Sequence, residues 1–256
     1  MDVNILGIDI ESKSRDGILE SIKKYIKKPI GFFQIVSINP ECLVLCQTNA
    51  DFKQTVNKAQ IKLIDGIGVV IASRILDGEL IQRYSGVDLV QDLLDIASEQ
   101  SLRVMLIGAG PKIAEKAAEC QRKVNPELEI LGIQGILDIK NPKIQEEEKI
   151  FSIVSDFKPH FIFVAFGMPY QDLWLYRNQA RLTGSVTMGV GGTLDYLSHR
   201  LPRAPMLLRI IGLEWLFRLI LQPWRIRRQL RLIEFIRLVI KERKDKINLP
   251  KNRSIR

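Results

Sequence analysis

Short, almost uninterrupted apolar runs recur along this chain, each followed by a segment of helical period, and that alternation constrains the fold more than any other feature. Residues 103–108 (Arg-Val-Met-Leu-Ile-Gly) and 160–166 (His-Phe-Ile-Phe-Val-Ala-Phe) show no polar alternation. A strand wetted on one face alternates; an unbroken run is buried on both faces, as in the middle of a parallel sheet. Further strands are expected at 31–36, 62–64, 128–133 and 185–190. Between them, Ile18, Leu19, Ile22, Tyr25 and Ile26 fall on one helical face. Helices are also expected at about 41–59, 112–123, 143–157 and 170–181, and after Asp88, which can cap a segment carrying Leu89, Val90, Leu93, Leu94 and Ile96. The expected fold is α/β: a compact Rossmann-like, mainly parallel sheet with helices on both faces.

The pattern changes at Arg200. Residues 201–205 (Leu-Pro-Arg-Ala-Pro) form a hinge, and two amphipathic helices are expected at about 206–221 and 224–244, with a frayed end at 248–256. The chain thus divides into an α/β core, 1–199, and a basic amphipathic appendage, 200–256. Of 38 Lys and Arg residues, 16 lie in the appendage with only 4 acidic residues, a net of +12; the remainder carries 22 basic and 25 acidic residues. Positive charge concentrated in one segment points to an anionic partner, a membrane surface or nucleic acid. Trp215, Phe217 and Trp224 supply interfacial aromatics, and Arg225, Arg227, Arg228, Arg231 and Arg237 supply attraction to anionic lipid of about 1 kcal/mol each near the surface. Basic residues interleaved with large aliphatics, and the lack of a nucleic-acid motif, favour the anionic membrane surface and no nucleic acid. The apolar tail also leaves room for a homo-oligomer.

Other classes are excluded motif by motif. Gly108-Ala109-Gly110 follows a strand, but position 113 is Ile, so the dinucleotide fingerprint fails. Neither a Walker A loop nor a G-x-S-x-G elbow occurs. Cys42, Cys46 and Cys120 read as buried thiols, and His160 as a core or strand-end residue. The acidic N-terminus is unlike a secretion signal. The most apolar stretch, 207–224, is interrupted by Arg209, Glu214 and Arg218, so no bilayer-spanning helix is expected.

Four polar clusters lie where strands are expected to end: 37–41 (Ser-Ile-Asn-Pro-Glu), 65–68 (Asp-Gly-Ile-Gly), 167–172 (Gly-Met-Pro-Tyr-Gln-Asp) and 189–195 (Gly-Val-Gly-Gly-Thr-Leu-Asp); 83–88 (Arg-Tyr-Ser-Gly-Val-Asp) joins them. Together they are expected to line one crevice at the sheet's carboxyl edge, where glycines admit a diphosphate and helix N-termini favour its charge.

With R-A-P (203–205) and G-L-E-W-x-F-R-L (212–219), these clusters make seven motifs in order between about residues 32 and 228. The series closely resembles the WecG/TagA/CpsF glycosyltransferases (glycosyltransferase family 26). That resemblance implies transfer of a sugar from a UDP-sugar to an undecaprenyl-diphosphate-linked sugar at the cytoplasmic face of a bacterial membrane. It also implies peripheral (monotopic) attachment, and products that feed wall teichoic acid or other surface polysaccharides.

Carried over residue by residue, the resemblance makes Asp65 the catalytic base. Ser37, in place of the family's usual Thr, and Asn39 would contact donor or acceptor. Arg83 would contact phosphate or hold the acceptor, and Gln171 would contact substrate. Gly189, Gly191 and Gly192 would cradle the nucleotide, and Gly167 and Asp195 would contact substrate or nucleotide. Asp172 stands where Glu is more common. The mechanism implied is metal-independent, with no cofactor besides the UDP-sugar donor. The chain has no D-x-D, and its nearest imitation, Asp9-Ile10-Glu11, lies near an N-terminus expected to be dispensable. Arginine is then the natural partner for the leaving diphosphate, and the appendage offers Arg218, Arg225 and Arg228. N-acetylmannosamine is the sugar to test first, with inversion if one oxygen displaces UDP directly. The other reading left open is a non-catalytic UDP-sugar-binding scaffold in a polysaccharide assembly complex.

Overall fold

The structure, a computed structural model, describes residues 2–248; of the end expected to fray, 248–256, Asn248 is helical and 249–256 lie outside the described residues. Six strands form one parallel sheet: β3 (Phe33–Ile38), β4 (Ile61–Ile64), β5 (Val104–Gly108), β6 (Ile130–Ile133), β7 (Phe161–Ala165) and β8 (Val186–Gly189). β1 (Asp2–Ile5) and β2 (Ile8–Glu11) form an N-terminal hairpin outside this sheet. The sheet order is β4-β3-β8-β7-β5-β6. β5 and β7 are paired in register from Val104↔Phe161 to Gly108↔Ala165, and every residue of both is buried. Their side chains alternate between two cores. Leu106 and Phe163 face the layer of α1 (Arg15–Lys27), α5 (Gly86–Glu99) and α6 (Ile113–Val124). Ile107 and Val164 face α7 (Ile144–Phe157) and α8 (Tyr170–Arg177), and the short α9 (Thr193–Leu197) packs on α6. The doubly covered parallel sheet read from the apolar runs is the observed architecture.

Three local expectations are corrected. The helix expected at 41–59 is two, α2 (Pro40–Thr48) and α3 (Ala50–Lys58). Asn49 is extended between them, and its side chain caps α3 by accepting from the Phe52 N–H at 2.9 Å. The cap of α5 is Ser85, whose Oγ accepts from the Asp88 N–H; Asp88 lies inside the first turn. The N-terminus is an antiparallel hairpin, β1 (Asp2–Ile5) and β2 (Ile8–Glu11), turned at Leu6-Gly7 with both φ positive. Its inward residues Val3, Ile5, Ile8 and Ile10 are buried in the core beneath β3. Asp9 and Glu11 point outward, to Asn4 and Lys13.

The appendage consists of α10 (Met206–Ile210), α11 (Glu214–Leu221) and α12 (Ile226–Asn248), where two helices were expected. Gly212, at φ +78°, breaks the first; a Cβ there would meet Ile67 Cβ at 2.6 Å, so the close approach to α4 (Ile67–Leu76) requires glycine. The appendage does not stand apart from the core. α12 packs on α2 and α4, and Phe235 (3% exposed) and Val239 (4%) enter the same buried cluster as Val36, Leu43 and Val69. Among the described residues no helix is long and apolar enough to cross a membrane. Phe235→Ala is expected to lower unfolding free energy by about 3 kcal/mol in urea titration, the cost of a large core truncation; a change below about 1 kcal/mol would mean that α12 is not docked.

Candidate functional site

A cavity of about 650 Å³ lies between the N-termini of α2 and α4 and the appendage. One end is polar, lined by Asn39, Asp65, Arg83, Glu214, Arg218 and Arg228. The other is walled by Ile71 and Ile75 of α4 and Leu232, Ile236 and Ile240 of α12.

Asp65 leaves the carboxyl end of β4. Its N–H donates to the Ile38 carbonyl at 3.0 Å, which ties it to the end of β3. Its Oδ1 accepts from the Gly86 N–H at 3.0 Å, at the start of α5. Glycine at 66 and 68 lets this loop meet α2, because a Cβ at either would lie 2.8 Å from the Pro40 ring. Burial pushes the Asp65 carboxyl above the usual carboxylate range. The Gly86 hydrogen bond and the Arg83 charge oppose that rise, and the charges of Glu214 and Asp88 add to it. A half-buried carboxylate with a raised proton affinity, opening on a cavity, is suited to accept a proton.

The other expected site residues separate into two groups. Asn39 lines the cavity with its Oδ1 committed to capping α2, accepting from the Cys42 N–H at 2.9 Å, so its amide nitrogen is the atom free to donate. Arg83 lines the cavity and donates to the Arg209 carbonyl of α10 at 2.5 Å. Ser37 is buried just beneath; its Oγ and Asp65 Oδ2 lie 3.3 and 3.8 Å from the point where a Gly86 Cβ would sit.

Gly167, Gln171, Gly189, Gly191, Gly192 and Asp195 belong to an adjoining network, not to the cavity wall. The buried Gln171 Oε1 accepts from the N–H groups of Gly167 (3.1 Å) and Gly191 (3.2 Å), joining the turns after β7 and β8. A Cβ on Gly189 would come within 2.6 Å of both Gln171 and Asp172. Arg218 links the two groups. Its guanidinium lies against Gly192, where a Cβ would collide with Nη2, and donates to Asp195 Oδ2 at 2.6 Å. The single crevice expected from the sequence is therefore a cavity and a glycine-turn network, separated by this side chain. Arg228 and Arg231 both pair with Glu41, and Arg225 lies within reach of the charges of Arg218 and Arg228. His160 is a strand-end residue whose Nδ1 accepts from the Arg103 N–H at 3.0 Å.

Sequence reasoning did not single out Glu214, Glu41 or Arg203, although each lies in a quoted motif. Arg203 donates to Asp88 at 2.6 Å and reaches Glu214 at 3.4 Å, holding the start of α11 to α5. Among the described residues no group of three or more His, Cys, Asp or Glu side chains is arranged to hold a metal.

A carboxylate and guanidinium groups at the carboxyl edge of an open parallel sheet place the chain among α/β enzymes that work at that edge. The comparisons specify which. Residues 3–248 match the sequence model of the glycosyl transferase WecG/TagA/CpsF family, and the chain belongs to that family; it is a glycosyltransferase. An N-acetylglucosaminyldiphosphoundecaprenol N-acetyl-beta-D-mannosaminyltransferase of Staphylococcus aureus (strain MW2) is 30% identical over 250 residues, 97% of this chain and 96% of the relative. The protein of that name from strain COL is 30% identical over 227 residues, 88% of this chain and 87% of its own length.

Asp172 carries the clearest pH dependence. Both its carboxylate oxygens are buried without a hydrogen-bond partner among the described residues, and burial pushes it up to about 7. The folded state therefore holds a proton that the unfolded chain releases near pH 4. Stability falls as pH rises from about 4 to 7, by about 4 kcal/mol at most, and the cost persists above 7. The gap between thermal melts of Asp172→Asn and the parent should be smallest below about pH 4 and widen in the variant's favour by pH 8. A constant difference across that range would contradict the assignment.

Proposed function

We propose that the chain transfers a hexose or N-acetylhexosamine, N-acetylmannosamine first among them, from a UDP-sugar to a polyprenyl-diphosphate-linked sugar, with inversion and without a metal. The observation that carries this reading is the two-ended cavity. Its polar end presents Asp65, Asn39 and Arg83 to a saccharide, and its isoleucine-lined end suits an attached hydrocarbon chain. The names of the relatives, which specify a diphosphoundecaprenol-linked acceptor, support the same substrate class.

In this mechanism Asp65 takes the proton from the acceptor hydroxyl as that oxygen bonds to the anomeric carbon. The bond from that carbon to the UDP oxygen breaks, and its electron pair leaves with UDP. Arg218, Arg225 and Arg228 offset the charge that develops on the diphosphate. Displacement from one side of an α-linked donor gives a β product. The enzyme sits peripherally on the cytoplasmic face of the membrane, in a teichoic acid or related polysaccharide pathway. Met206, Leu207, Ile210, Ile220 and Trp224 are exposed on the appendage and would enter the lipid interface.

Asp65→Asn is expected to lower transfer by about 10²- to 10⁴-fold while UDP still binds, the range for loss of a general base. In the parent the rate should fall as pH drops through the raised pKa of Asp65, because only the ionised carboxylate accepts the proton. A variant with parental turnover on a lipid-linked acceptor would refute the assignment. A parent that binds UDP but transfers to no lipid-linked sugar would favour the scaffold reading.

A further inference from the structure

The corner between α11 and α12 carries an arrangement that no motif pointed to. Gln222 is only 7% exposed, in a segment whose other described side chains are half-buried or exposed. Its N–H donates to the Arg218 carbonyl at 2.9 Å, and its carbonyl accepts from the Arg225 N–H at 3.0 Å. It therefore closes α11 and opens the 3₁₀ turn Pro223–Arg225 that leads into α12. Its single side-chain Oε1 accepts from two guanidinium groups, Arg218 Nε at 3.3 Å and Arg225 Nε at 2.5 Å. Both arginines are thus anchored by the Nε edge.

The remaining contacts differ between the two. Arg218 gives Nη2 to Asp195 and lies 5.1 Å from the centroid of the Tyr196 ring. Arg225 has no carboxylate within salt-bridge distance among the described residues. Burial, and the charges of Arg218 and Arg228, push Arg225 down to about 10, so it remains cationic at neutral pH. A neutral acceptor with the reach of an amide suits this position. Lys or Arg has no acceptor, and a carboxylate would neutralise the pair that it orients. A neutral oxygen aligns the two cations without adding a counter-charge: Arg218 keeps its pair with Asp195, and Arg225 keeps its charge.

We propose that Gln222 is a positioning residue that holds Arg218 and Arg225 side by side as a two-guanidinium fork for a diphosphate. The inference rests on the proposed function, in which these arginines meet a diphosphate, and adds what sets their geometry. The diphosphate belongs to the UDP donor or to the polyprenyl-diphosphate acceptor; the chemistry is shared, and the experiment separates them.

The full-length chain is compared with Gln222→Met and Gln222→Glu. Binding of UDP and of uridine is titrated, and KM is measured for a short-chain prenyl-diphosphate sugar acceptor. If the fork receives the donor, Gln222→Met weakens UDP about tenfold and leaves uridine unchanged, since about one hydrogen bond's worth of alignment is lost. If it receives the acceptor, KM for the prenyl-diphosphate sugar rises by a similar factor and UDP binding is unchanged. Gln222→Glu keeps an acceptor oxygen and the thermal midpoint, yet weakens the same ligand because its charge competes for the fork. Equal loss of UDP and uridine in Gln222→Met overturns the proposal, as does a Gln222→Glu chain that binds both diphosphates as well as the parent. A parent that transfers no sugar, while Gln222→Met still discriminates UDP from uridine, would instead remove the proposed function and leave the fork standing.

Discussion

The return of α12 onto α2 and α4 is the contact on which the rest of the site depends. Phe235 and Val239 bury apolar surface that the core would otherwise expose beside β3 and the N-terminal hairpin. The same helix supplies Leu232, Ile236 and Ile240 to the cavity wall and, with Ile71 and Ile75 across from them, makes a half-open cleft of what would be an open edge. Asp65 lines the same space, and its burial there raises its proton affinity.

Ion pairs refine what apolar burial begins. Glu41, at the start of α2, receives Arg228 and Arg231 of α12; Asp88 receives Arg203; Asp195 receives Arg218; Asp77 receives Lys246 at 2.8 Å. In each case the carboxylate is in the core and the cation in the appendage. The basic excess of the tail is therefore partly spent on its own core. Several of these pairs are partly exposed and individually worth less than about 1 kcal/mol, so their value lies in orienting guanidinium groups around the cavity. The outward faces of the appendage helices stay apolar, with Leu216, Ile233 and Trp224 exposed, and the proposed seat on lipid would use that surface.

What was legible in the sequence follows from how many neighbours each element has. β5 and β7 are buried on both faces, so their apolar runs could be read without context. The hairpin was passed over, although Val3, Ile5, Ile8 and Ile10 alternate about Leu6-Gly7; two four-residue strands with acidic residues outward carry a weak signal. The break at Asn49 turns on one side-chain cap inside an otherwise helical pattern. The docking of α12 was not legible, because its exposed face is apolar as well, with Ile233, Ile236 and Ile240 about half exposed, and periodicity cannot say which side meets protein. The clusters that hold Asp65 and Asn39 stood out because they lie at strand ends, where an open sheet binds ligands, and the family resemblance singled out Asp65, Asn39 and Arg83 within their motifs. Gln171 and the glycine turns lie at the same edge, yet they bond to one another; the difference is set by side-chain direction. Glu214 and Gln222 owe their places to the docked tail.

The most direct test of this account is amide hydrogen exchange on the full-length chain in solution, without lipid, followed segment by segment. Docking predicts that amides in 232–239 exchange as slowly as those of β3, since both open only when the shared core opens. If 232–239 exchanged within the time of an isolated helix while β3 stayed protected, the appendage would not be part of the folded core, and the cavity built on it would not exist in the free protein.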